Sequence, residues 1–126
     1  MSNQFTLWAV AAAFLSTGTP GLAHHGQAGY DLHQQVTVNG TVSDFKFLNP
    51  HCIVYLDAKD DKGEMQKWQG ELTSPNHLLR AGWTAESLKP GDKITLTGWR
   101  AKSGSTSLWI TKTVVNGEEL KTAAGD

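Results

Sequence analysis

Gln35-Val36-Thr37-Val38-Asn39-Gly40-Thr41-Val42-Ser43-Asp44-Phe45-Lys46-Phe47-Leu48 reads as one long strand with a fault in its alternation. Val36, Val38 and Val42 share one parity, and Phe45 and Phe47 take the other. A strand presents alternate residues to opposite faces, so a switch of parity inside it means a bulge or bend. Gly40 offers a flexible site just upstream. Asn39-Gly40 is also a strong signal for a tight hairpin turn, but that reading leaves two very short arms. One bent strand is the expectation.

Four further strands follow from this one. His51 to Asp57 alternates Cys52, Val54 and Leu56 against His51, Ile53 and Tyr55. Asp60-Asp61-Lys62-Gly63 supplies a turn, with glycine where φ must be positive. Glu64 to Leu72 puts Trp68 and Leu72 on one face and Lys67, Gln69 and Glu71 on the other, so the two segments should form an antiparallel hairpin. A short helix is expected next: Ser74 to cap it, Pro75 at its first position, Leu78 and Leu79 as its apolar side, and Gly82 to end it. Strands from Lys93 to Ala101 and from Ser107 to Val115 complete the pattern, and Asn116-Gly117 closes the last one. Three strands, a helix and two strands, with the first strand bent, is the order of an OB-fold. The expected class is therefore all-β with one short helix, a five-stranded OB-fold-like barrel over residues 35–120. A generic β-sandwich is the competing architecture.

The ends of the chain have their own character. No Asp, Glu, Lys or Arg occurs before Asp31. Leu7 to Leu15 is a continuous apolar run, too short to cross ~30 Å of hydrocarbon but of the length of a signal-peptide core. Ser16 to Pro20 breaks it, and Gly21 and Ala23 place small residues at −3 and −1 of a cleavage site. The off-pattern feature is an amino-terminal region without Lys or Arg. The reading is a signal peptide at 1–23, an arm at 24–34 and a frayed tail at 121–126. The mature protein would then be periplasmic or secreted, with no membrane span after cleavage. One cysteine and a formal net charge of −1 in 126 residues exclude a disulfide framework, a multi-thiolate zinc site and a strongly basic nucleic-acid binder.

Several short stretches together resemble an uncharacterised family of small exported bacterial proteins, a domain of unknown function. They are Ala23-His24-His25, Gly40-Thr41-Val42, Asn49-Pro50-His51, Trp68 with Glu71, Ser74-Pro75-Asn76 with Leu79-Arg80, Gly82-Trp83, Leu88-Lys89-Pro90-Gly91-Asp92, and Ala101-Lys102 with Gly104. The resemblance implies export and a single domain, and no activity. This chain departs from it at Gly26, where such proteins commonly carry Ser, and at Cys52, where another small or apolar residue is expected.

Chemistry concentrates on histidine. Cleavage after Ala23 would free the α-amine of His24, which with its own imidazole can chelate one metal ion. A second imidazole then completes a histidine brace, a nitrogen-rich site suited to copper. His25, His51 and His77 are candidate partners, and the metal set is taken as His24, His25 and His51. The alternative is a disordered polar stub after the cleavage site. In the inferred hairpin, Glu71 falls opposite or diagonal to His51 and could orient its imidazole as a carboxylate does at metal sites. The plainer reading is a cross-strand polar pair. Cys52 has core parity and reads as a small buried hydrophobe, His77 as a solvent-facing helix residue, and His33 fits either role. Trp99 and Trp109 oppose the parity of Ile94, Leu96, Leu108 and Ile110, which makes them a candidate exposed aromatic binding surface.

Three functions compete. The first is an exported copper-binding module. The second is a non-catalytic module for a periplasmic protein or small ligand, with no metal. Oligonucleotide or oligosaccharide binding rests on barrel analogy alone; nucleic acid is disfavoured because excess positive charge is missing. No nucleophile–base pair, phosphate loop or HExxH helix is present, so the sequence leans away from an enzyme.

Overall fold

The computed structural model describes residues 26–122, and the segment expected to be a signal peptide, His24, His25 and the last four residues lie outside them. The described chain is mostly β-sheet with one short helix: β1 Tyr30–Lys46, β2 Ile53–Lys59, β3 Met65–Glu71, α1 Pro75–Arg80, β4 Lys93–Ala101, β5 Ser107–Val115 and β6 Glu118–Leu120. Neighbouring strands run in the order β3-β2-β1-β4-β5-β6, and an additional β3–β5 pairing joins the first five into a ring. That seam is parallel and short, from Gln69↔Ser107 to Glu71↔Trp109.

β1 is the bent strand that serves two partners. Its first part pairs with β4 and its last part with β2, and Thr41 pairs with both. The register slips between Val42 and Asp44, so Ser43 is the extra residue that turns the parity from valines to phenylalanines. The bend also needs Gly40: a Cβ there would lie 2.4 Å from the Asp57 carbonyl oxygen, an impossible contact.

The structure differs from the sequence expectation at several edges. β1 begins at Tyr30 rather than near Gln35, because Tyr30 and Asp31 pair with Ala101 and Arg100 before three residues loop out. Asn116 and Gly117 do more than end β5. Both take positive φ, the geometry of a two-residue hairpin turn, and β6 folds back so that Val115 faces Glu118. Ser74 sits at the N-cap without a side-chain hydrogen bond. Leu79 is half exposed, so Leu78 and Pro75 form the buried side of α1. Gly82 ends the helix with φ +91°, and the amides of Gly82 and Trp83 reach back to Leu79 and Leu78 in a Schellman closure.

The principal core lies inside the ring. Val42, Val54, Leu56, Leu96, Leu108 and Ile110 fill it, and Leu78, Trp83 and Leu88 from the helical connection join them beside Cys52 and Leu72. The helical connection therefore stoppers one end. A second, smaller cluster of Tyr30, Ala101 and Trp109, with Trp99 against it, forms on the outer face.

Candidate functional site

The β2–β3 hairpin decides where its polar side chains meet. Ile53 pairs with Glu71 and Val54 with Gly70, and the pairing runs on to Cys52 and Leu72 through the Leu72 amide and the Cys52 carbonyl. With that register, Cys52, Val54 and Leu56 point inward with Leu72 and Trp68. His51, two residues before the strand, points outward and lies diagonal to Glu71. Their side chains touch: His51 Nδ1 is 2.5 Å from Glu71 Oε1.

The second carboxylate oxygen is also engaged. The Tyr30 hydroxyl donates to Glu71 Oε2 at 2.7 Å and lies 3.3 Å from Ser107 Oγ. The Gln69 side-chain amide donates in turn to Ser107 Oγ at 3.5 Å. A carboxylate only accepts, so its bond to His51 places the imidazole proton on Nδ1 in the neutral ring and leaves Nε2 with a bare lone pair. Both partners are largely withdrawn from water, with side-chain exposures of 28% for His51 and 21% for Glu71. Tyr30 is buried. Loss of water raises its hydroxyl pKa from 10.0 to about 12, and the Glu71 charge and bond push the same way against the Ser107 bond.

Trp109 is the floor of this arrangement. It pairs with Glu71 across the parallel seam. Its ring meets His51 edge-on, at a centroid distance of 5.5 Å and an angle of 89°, and Tyr30 at 6.1 Å. The chain enters over this floor at Gly26. A Cβ built on Gly26 would sit 3.2 Å from Trp109 Cη2 and 3.4 Å from His51 Cε1. The residue at this position thus lies against both rings, and a larger side chain would have to push one of them aside.

The placement of the expected residues is mixed. His51 and Glu71 come together in the diagonal arrangement. His24 and His25 lie outside the described residues. His77 is on α1, exposed, with Nδ1 2.9 Å from the Thr73 hydroxyl, and His33 is exposed on the looped part of β1. Among the described residues, no three His, Cys, Asp or Glu side chains converge as a ready metal cage.

Trp99 and Trp109 do not form an exposed aromatic patch. Both stand on the outer face, as their parity demands, but Trp109 is 7% exposed and Trp99 packs against its cluster. The early start of β1 and the turn from Gly26 lie over that face. Tyr30, Ser107 and Gln69 are the participants that sequence reasoning missed. Tyr30 stands just before the first charged residue, and an aromatic at the head of a strand was the available signal.

No curated protein matches the chain. A family of unknown function (DUF6152) matches residues 12–109, most of the chain. The protein belongs to that family of unknown function.

Proposed function

We propose that this protein is an exported metal-binding module that holds copper between its processed N-terminal histidine and His51, on a five-stranded OB-like barrel. The observation that carries the reading is the closeness of Gly26 to the His51 ring, where an added Cβ would lie 3.4 Å from Cε1. Consecutive Cα atoms are ~3.8 Å apart, so chain length alone keeps His25 one step, and His24 two steps, from a residue whose backbone runs beside the His51 ring. The α-amine and imidazole of His24, freed by cleavage after Ala23, would meet Nε2 of His51, which has no hydrogen-bond partner among the described residues. His25 is the further candidate ligand.

Glu71 supports this reading in the way carboxylates do behind metal-bound histidines. It fixes the tautomer, orients the ring and raises the basicity of the ligating nitrogen. Tyr30 holds the carboxylate in turn. Trp109 and Gly26 limit solvent around the ring. All-nitrogen donors and the general affinity order favour copper over other divalent ions.

Intact mass of the exported protein and a Cu(II) titration followed by tryptophan fluorescence test the proposal together. A mature chain starting at His24 and one equivalent of Cu(II) quenching Trp109 are expected. A chain that starts elsewhere, or equal quenching in His51→Ala, would overturn the copper site. The competing non-metal module loses the outer aromatic surface on which it was argued, since Trp109 is buried.

A further inference from the structure

Among the described residues, the ring of strands is stoppered at one end only. Beside Phe45, Cys52 and Leu72 the interior is closed by Leu78, Trp83 and Leu88. At the opposite end the inward-facing positions change character. Val36, Ala58, Gln66, Trp68 and Arg100 line an open hollow of about 540 Å³, which is in the size range of small-molecule sites.

Arg100 is the unusual member. It shares the face of β4 that carries the buried Ile94, Leu96 and Gly98, so its side chain starts from a core-facing position. Its guanidinium carbon lies 4.9 Å from the centre of the Trp68 ring, and Nη2 donates to the Gly104 carbonyl at 2.9 Å. Among the described residues, no carboxylate forms an ion pair with it. The rim also carries Lys59 and two acids, Asp60 and Asp61, and Asp60 is already engaged by the amides of Lys62 and Glu64 and by the Gln66 side chain. Gln66 and Thr106 bring an amide and a hydroxyl to the rim, whereas the side chains of Thr37 and Asn39 stand on the opposite face of β1 and pair there with Thr97 and Thr95. Trp68 also borders two adjoining hollows beside Tyr55 and Lys67.

We infer that this open mouth binds a saccharide unit carrying a carboxylate. The planar guanidinium takes a carboxylate through two parallel hydrogen bonds. The indole offers a flat apolar surface to the C–H face of a sugar ring. The amide and hydroxyl side chains of the rim match sugar hydroxyls, for which a simple carboxylate has no counterpart. A neutral sugar would leave the arginine without a counter-charge. A polynucleotide needs a positive surface that a chain of formal net charge −1 does not supply. The site faces the inside of the ring, whereas the His51 cluster lies on its outer face, and the inference is independent of the copper proposal.

The test is titration of the isotopically labelled protein with galacturonate and digalacturonate, with galactose and acetate as controls, followed by NMR. Shifts confined to the Trp68 indole and Arg100 signals are expected with the acidic sugars. Arg100→Gln should weaken binding by about tenfold or more, the loss of one charge-assisted contact. Trp68→Phe, which keeps an aromatic filler, should weaken it less and remain folded. A metal chelator should change nothing. Absence of shifts at millimolar digalacturonate overturns the inference. So does an equal response to galactose or to acetate, or an Arg100→Gln protein that is folded and binds unchanged.

Discussion

The double substitution of Tyr30 and Glu71 tests the physical core of the outer-face site. Glu71 accepts from His51 at one oxygen and from Tyr30 at the other, and a hydrogen bond to a charged group contributes ~1.5–3 kcal/mol. Tyr30→Phe removes one such bond but leaves a carboxylate that water can still reach in part, so about 1–1.5 kcal/mol should be lost. Glu71→Ala removes both bonds. It strands a buried phenol with only the 3.3 Å contact to Ser107, so about 2–3 kcal/mol is expected. The double variant has no stranded phenol. Its loss should fall short of the sum of the singles by about 1 kcal/mol, as for residues in one network. Urea unfolding, compared at constant m value, measures all four proteins. Additive losses within about 0.3 kcal/mol would refute the coupling, and the view of Glu71 as a fixed partner of His51 would fall with it.

Three further outcomes follow from the same packing. In Tyr55→Phe, Tyr30 is the remaining tyrosine of two, and its tyrosinate absorbance should titrate with a midpoint near 12; a midpoint near 10 would contradict the burial of its hydroxyl. Because the folded-state pKa is the higher one, the linked stability is fully present below pH ~10 and lost as pH rises toward 12, which thermal unfolding across that window would show. Cys52 is wholly buried, and burial raises its thiol pKa. A thiol reagent should therefore react only on unfolding, and rapid labelling of the native protein would place Cys52 at the surface. Leu78 is fully buried where α1 meets the ring, so Leu78→Ala should cost ~2–5 kcal/mol in urea unfolding, and a loss under 1 kcal/mol would deny the helix its role as a stopper.

The local signals in the sequence map closely onto the ring. The parity switch between Val42 and Phe45 is a real bulge at Ser43, and β4 and β5 occupy the segments expected of them. The diagonal of His51 and Glu71 was derivable because an even pairing sum is forced once Cys52, Val54 and Leu56 must share a face with Trp68 and Leu72. What stayed hidden is long-range. The parallel seam of β3 with β5 leaves no periodic trace in either strand. The pairing of Tyr30 with Ala101 is separated from the rest of β1 by a loop of Leu32, His33 and Gln34, which have no shared face to bury. The parity of Trp109 correctly indicates the outer face, but parity does not say what lies over that face. Here Gly26 and Tyr30 do, and they convert an expected exposed surface into the floor of the site.

Electron paramagnetic resonance of the Cu(II)-loaded mature protein tests the copper site most directly. With His24 as first residue, the spectrum should show a set of nitrogen ligands that includes an amine, and this set should change both in His51→Ala and in a chain with one alanine added before His24. An identical spectrum in all three proteins would mean that neither the free amine nor the strand-end imidazole holds the ion.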